Sequence, residues 1–114
     1  MEKTLLREVK IKTGVLKRNH KDYHSYKEEA KKQEAKIADM RDKGADEYDI
    51  KKQEEGLTET MNMLPDCKSR IQKALDDLQA LYEDIGENEE FKATEECSTG
   101  EGLMAEVRDF LASL

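Results

Sequence analysis

Proline and aromatic residues are scarce: the 114 residues include one proline, no tryptophan, four tyrosines and two phenylalanines. A β-sandwich or a doubly wound α/β domain needs turn punctuation and bulky material between its layers, and this chain supplies neither. Apolar runs never exceed three residues, and Met1-Glu2-Lys3 leads into a charged segment. Neither a signal peptide nor a membrane span is therefore expected. The two cysteines, Cys67 and Cys97, form no CxxC pair and make a poor disulfide framework, so reduced thiols in a cytosolic protein are the simplest expectation.

What the chain has in quantity is charge, 41% of residues against 36% apolar, a composition suited to long amphipathic helices with solvated faces. The net charge of −7 conceals an asymmetry: residues 1–36 hold 11 Lys/Arg against 6 Asp/Glu, and the remaining 78 hold 9 against 21. A basic first helix facing an acidic remainder favours antiparallel packing and also suits an acidic partner. Nucleic acid is not expected, because acids interrupt the basic positions and no aromatic platform accompanies them.

Heptad spacing places Val9, Leu16, Tyr23, Ala30 and Ile37 on one stripe, with Leu5, Tyr26 and Met40 on a companion stripe and Ile11 and Val15 widening it sideways. This predicts a helix over about 4–42. Breaking signals cluster at 43–47, where Gly44 can turn left-handed and Asp46 or Asp49 can cap the next helix. Ile50, Leu57, Leu64, Ile71, Leu78 and Ile85 then recur every seven residues, with Met61, Leu75 and Tyr82 as stripe mates. The phase survives across Pro65, so a single helix over about 47–85, bent at Pro65, is predicted although an interior proline costs about 3 kcal/mol. The alternative is a break with Pro65 at the first position of a new helix.

Gly86 ends that element. A third helix over about 88–112 is expected from Phe91, Met104, Val107, Phe110, Leu111 and Leu114, weakened or broken near Gly100. Ser98 and Glu101 match a capping box, which puts the best-formed part from about Thr99 onward. Residues 1–114 thus read as one all-α domain, an elongated antiparallel three-helix bundle running up-down-up, a spectrin-like or coiled-coil rod whose first helix spans roughly 55 Å at ~1.5 Å per residue. Gly14, inside the first helix, reads as a site of close helix packing.

Signatures of catalysis are missing. His20 and His24 could reach one ion, but Lys21 follows His20 where a zincin carries glutamate and no third ligand follows. Asp42, Asp46 and Glu47 fail as a calcium loop, since the glycine and the closing acid are replaced by Glu47 and Gln53. No nucleotide loop, nucleophile elbow or cysteine–histidine pair is present. A non-enzymatic binding protein without cofactor or metal is the expectation.

Specific strings go further than period and composition. Ile11-Lys12-Thr13-Gly14-Val15-Leu16-Lys17-Arg18, Tyr26-Lys27-Glu28-Glu29-Ala30 with Gln33-Glu34, Tyr48-Asp49-Ile50-Lys51-Lys52-Gln53-Glu54, and Met63-Leu64-Pro65-Asp66-Cys67 with Arg70 closely resemble the tubulin-binding cofactor A family in order and spacing over about 5–85. The resemblance implies a small three-helix chaperone, cytoplasmic and associated with the cytoskeleton. Such a protein captures β-tubulin released from the chaperonin and passes it toward the αβ-dimer, with other tubulin-folding cofactors as further partners and no nucleotide or metal. After Gly86 the likeness weakens: family members tend to finish with a continuous charged helix, whereas here Gly100 and Gly102 intervene and the end is apolar, Phe110-Leu111-Ala112-Ser113-Leu114.

On this reading Lys10, Lys17, Arg18 and Lys21 attract an acidic tubulin surface. Tyr48, Asp49, Lys51, Lys52 and Glu54, together with Met63, Pro65, Asp66 and Arg70, supply more specific contacts. Because the apolar stripes belong to the core, the interface is expected to be polar and salt-sensitive. The competing reading is a structural coiled-coil scaffold that self-associates through the same stripes. A prefoldin-like holdase would want strands between its helices, for which the links are too short.

Overall fold

The computed structural model describes residues 2–114, and among them every regular element is helical. Helix α1 runs Lys3–Asp42, α2 Glu47–Ile85, α3 Glu89–Lys92 and α4 Glu95–Ala112. Gly44, at φ 68°, closes α1: its N–H donates to the Arg41 carbonyl at 3.2 Å and that of Ala45 to Met40 at 3.0 Å, which satisfies two end carbonyls in a Schellman motif. The Asp46 carboxylate then accepts from the Tyr48 N–H at 3.4 Å as α2 begins. Helix α2 carries Pro65 in its interior without a break in the helix. Gly86, at φ 65°, ends it with one N–H bond to the Tyr82 carbonyl at 3.0 Å.

Four helices are present where three were expected, and the interruption falls at 93–94 rather than near Gly100. Two caps decide this. The Asn88 side chain accepts from the Phe91 N–H at 3.1 Å to start a single turn, and the Thr94 hydroxyl accepts from the Cys97 N–H at 3.2 Å to start α4, whose first turn carries Glu95 and Glu96 at the positive end of the helix dipole. Ser98 and Glu101 do not form the expected cap; both lie inside α4, as do Gly100 and Gly102.

The chain divides into two compact units, one made of the segment up to His20 with Lys68–Leu114, the other of Lys21–Cys67. In the first unit Val9 and Leu16 of α1, Ile71, Leu75, Leu78 and Leu81 of α2, Phe91 of α3, and Cys97, Met104 and Val107 of α4 are buried. Tyr82 is the joint: its ring meets Phe91 edge-on at 5.2 Å, and its hydroxyl donates to the Cys97 carbonyl at 2.9 Å and lies near that of Glu96 at 3.3 Å. Gly100 makes room for this. A Cβ there would stand 2.1 Å from the Tyr82 hydroxyl oxygen and 3.3 Å from Thr13 Oγ1. The glycine that reads as a helix breaker is a buried contact residue.

The second unit is a helical hairpin whose seam buries Tyr23, Ala30 and Ile37 of α1 with Ile50, Leu64 and Cys67 of α2. Arg41 pairs with Glu54 across it. Gln33 sits beside Gly56, and its carbonyl oxygen is buried with no hydrogen-bond partner. Met61, expected as a stripe mate, is instead 43% exposed.

Candidate binding surface

Helical faces, not a cleft, present the chemistry of this chain. In the first unit Lys10, Lys17 and Arg18 of α1 and Arg70 of α2 are exposed. Lys3, Lys10 and Lys17 recur every seven residues, and so line one edge of α1 away from the Val9–Leu16 stripe. Between these cations Ile11 is 56% exposed and Val15 38%. The sequence pattern suggests that these two widen the core face; the structure turns them outward and so places apolar side chains on a largely charged surface. Gly14 is exposed as well, and a Cβ on it would meet nothing within 4 Å, so it serves no close packing inside the fold.

Next to this face lies an open groove of about 540 Å³, lined by Arg7, Lys10 and Thr13 of α1 with Glu95, Glu96 and Thr99 of α4. The Thr13 hydroxyl is buried there without a protein hydrogen-bond partner. Deeper in the unit, burial foremost, then the hydrogen bond to Glu101 at 3.4 Å, pushes the Cys97 thiol up; burial followed by the Cys97 and Glu101 charges pushes up Tyr82. On α2 the hydrogen bond from Lys73, at 2.9 Å, holds the Asp77 carboxyl below its ordinary value, helped by the charges of Lys73 and Lys12. Buried Cys97 and half-buried Tyr82 thus hold their protons more firmly than exposed groups would.

In the second unit Lys21, Tyr48, Asp49, Lys51, Lys52, Pro65 and Asp66 are exposed, while Glu54 and Met63 are half-buried. Tyr48 is 63% exposed, and the Lys52 ammonium lies 5.0 Å from its ring centre, close enough for a cation–π contact one turn into α2. Glu54 is engaged by Arg41 rather than standing open. The structure therefore brings Tyr48 and Lys52 together and turns Glu54 toward α1. The histidines expected as a bland pair have aromatic neighbours: His20 lies 4.6 Å from Phe110, and His24 meets Tyr23 edge-on at 6.1 Å.

Residues 4–103 match the family model described as Tubulin binding cofactor A. The chain belongs to this family. Tubulin-specific chaperone A of Homo sapiens is 49% identical over 90 residues, covering 76% of this chain and 83% of the human one. The crystal structure of tubulin folding cofactor A from Arabidopsis thaliana superposes with a TM-score of 0.84 at 41% identity, over 95% of this chain and 99% of that one. A solved structure described as a beta-tubulin binding post-chaperonin cofactor gives a TM-score of 0.75 at 31% identity, over 92% and 98%. In this member of the tubulin-binding cofactor A family the strings Ile11–Arg18, Tyr48–Glu54 and Met63–Arg70 are all helical and inside the matched span, whereas 104–114 lies beyond it. The family is one of binding proteins and chaperones. Among the described residues no helix is long and apolar enough to cross a membrane.

Proposed function

We propose that this chain is a tubulin-folding cofactor that captures β-tubulin after its release from the chaperonin and hands it toward αβ-dimer assembly, in the cytoplasm and close to the cytoskeleton, by binding alone. The observation that carries the reading is the likeness, across nearly the whole of both chains, to a structure described as a beta-tubulin binding post-chaperonin cofactor. The surfaces described above support it chemically. Exposed cations on α1 suit an acidic client, and the Tyr48–Lys52 pair with the exposed Pro65–Asp66 turn of α2 offers shaped contacts. We read Lys10, Lys17, Arg18, Lys21, Tyr48, Asp49, Lys51, Lys52, Glu54, Met63, Pro65, Asp66 and Arg70 as the contributing residues. We read residues 1–114 as a single domain in which α3 and α4 together stand for the expected third helix, and other tubulin-folding cofactors receive the client.

The test is binding of purified β-tubulin to the immobilised chain between 0.1 and 1 M salt, where the Debye length falls from about 10 Å to about 3 Å. Affinity should drop with salt, mainly through slower association. Two charge reversals, Lys17→Glu with Arg18→Glu and Lys51→Glu with Lys52→Glu, should each weaken capture while helicity is retained. A chain that ignores β-tubulin and elutes as a defined oligomer would instead establish the scaffold reading.

A further inference from the structure

Ile11, Gly14 and Val15 share one outward face of α1 in the first unit, with Gly14 packed against neither α2 nor α4. Glycine in an exposed helix interior weakens the helix relative to alanine, so the fold itself gains nothing from Gly14. A bare stretch of backbone beside two exposed branched side chains four residues apart is, however, a groove flanked by a ridge, the surface on which a second helix packs at short distance. The positions three or four residues from Ile11, Gly14 and Val15 hold Arg7, Lys10, Lys12, Lys17 and Arg18 against a single acid, Glu8. Lys12 is directed electrostatically at Asp77. Among the described residues Arg7, Lys10, Lys17 and Arg18 form no ion pair within the chain. An apolar seat bordered by these cations, of which Arg7 and Lys10 also share the adjoining groove with Glu95 and Glu96 while Lys17 and Arg18 do not, is complementary to an apolar helix face bordered by carboxylates, and repels a basic one.

We propose that Ile11, Gly14 and Val15 seat an acidic amphipathic helix of the β-tubulin client, with Lys10, Lys17 and Arg18 pairing its flanking carboxylates. This rests on the β-tubulin reading above and adds to it the face used and the element held. Gly14 fixes how closely the two backbones approach; the exposed side chains of Ile11 and Val15 are covered only in the complex.

The experiment measures the dissociation constant for purified β-tubulin with the full chain, with Gly14→Leu, with Ile11→Ser plus Val15→Ser, and with Met61→Ser as an exposed apolar control in the second unit. Gly14→Leu should leave helicity intact, since the space around it is open, yet bind at least tenfold more weakly; the double serine variant should behave alike and Met61→Ser should stay within twofold. If the parent chain itself does not bind β-tubulin, the functional reading fails. If the parent binds and both α1 variants match it within twofold, the docking face is wrong while the function stands. The occupant is read separately by placing a benzophenone label on Gly14→Cys, the native Cys67 and Cys97 being buried. Cross-linking to an acidic helical segment of β-tubulin supports the proposal, and cross-linking to a basic or extended segment, or to a second copy of this chain, overturns it.

Discussion

In the first unit the stripe of α1 that carries Val9 and Leu16 is buried together with side chains of α2, α3 and α4, whereas in the second unit Tyr23, Ala30 and Ile37 are buried in the hairpin that α1 forms with α2. The consequence is visible in burial. The largest side chains taken fully out of solvent, Leu16, Ile71, Leu78, Val9 and Val107, all belong to the first unit, while the buried apolar residues of the hairpin each keep a few per cent of exposure. Two helices share one seam, whose edges stay wet; a third layer is needed to cover them. The hairpin also tolerates a buried, unpartnered amide oxygen on Gln33, beside a glycine. Local stability should therefore be graded along the chain, with amides of 21–67 exchanging faster than those of 68–85.

The largest test of that contrast is a matched pair of truncations. Leu78→Ala removes a side chain with no exposure, held on several sides, and should cost about 3–5 kcal/mol. Leu64→Ala, at the 8% exposed seam of the hairpin, should cost about 2 kcal/mol, because the site can collapse or hydrate. Urea unfolding of the two variants reads the difference directly, and equal losses would erase the distinction between the units.

Pro65 acts in the opposite direction. It sits in the interior of α2 in the second unit, where it supplies no N–H to the helix and crowds the carbonyl of Met61. Pro65→Ala should stabilise the chain by up to about 3 kcal/mol in urea unfolding. It should also weaken β-tubulin capture, through loss of the backbone shape that the proline imposes on the contact segment. Unchanged capture by the stabilised variant would remove Pro65 from the functional surface.

A smaller effect, confined to the first unit, sharpens the role of its joint. Gly100→Ala gains helix propensity of about 1 kcal/mol but overpacks the Tyr82 hydroxyl, which should cost about 1–3 kcal/mol, leaving a net loss of about 1 kcal/mol. In a Tyr82→Phe background, which removes the atom 2.1 Å from the added carbon, much of that loss should vanish, and the double-mutant cycle measures the coupling. The same joint predicts alkaline sensitivity. Burial holds the protons of Cys97 and Tyr82 more tightly in the folded chain than their ordinary values of 9.0 and 10.0. Their contribution is thus complete below about pH 9 and declines as pH rises toward the higher folded values, because the unfolded chain ionises first. The urea midpoint should fall between pH 8 and 11, and less steeply in Tyr82→Phe.

How much of this was legible in the sequence depends on whether a feature is local. The stripe Val9, Leu16, Tyr23, Ala30, Ile37 is written in a seven-residue period, and every member is buried. Gly44 and Gly86 announce their left-handed ends because they follow periodic segments directly. Gly100 could not be read in this way: what fixes its role is the hydroxyl of Tyr82, on another helix, and helix propensity alone turns a contact glycine into a breaker. Thr94 followed by Glu95 and Glu96 carries the signal of a helix start, but helix propensity alone puts the break at the two glycines downstream. For the surface, period distinguishes core from solvent and no more. It could not tell that Ile11 and Val15 face outward, since positions bordering a stripe are decided by which neighbours arrive. The client was suggested by particular strings rather than by any physical pattern.

The smallest predicted effect concerns the hairpin's own weakness. Gln33 interrupts the companion stripe of α1, and its buried carbonyl oxygen has lost water without gaining a donor. An unsatisfied buried acceptor costs about 1–3 kcal/mol in full, but a half-buried side chain at a wet seam recovers most of that. Gln33→Met keeps the length and flexibility of the side chain and removes the amide, so a gain of about 0.5–1 kcal/mol is expected. If the two units differ for the reason given, the gain should appear as slower amide exchange in 21–67 and leave 68–85 nearly unchanged. Uniform slowing along the chain would mean that the hairpin and the three-layered unit open together, and that the contrast in burial does not translate into a contrast in local stability.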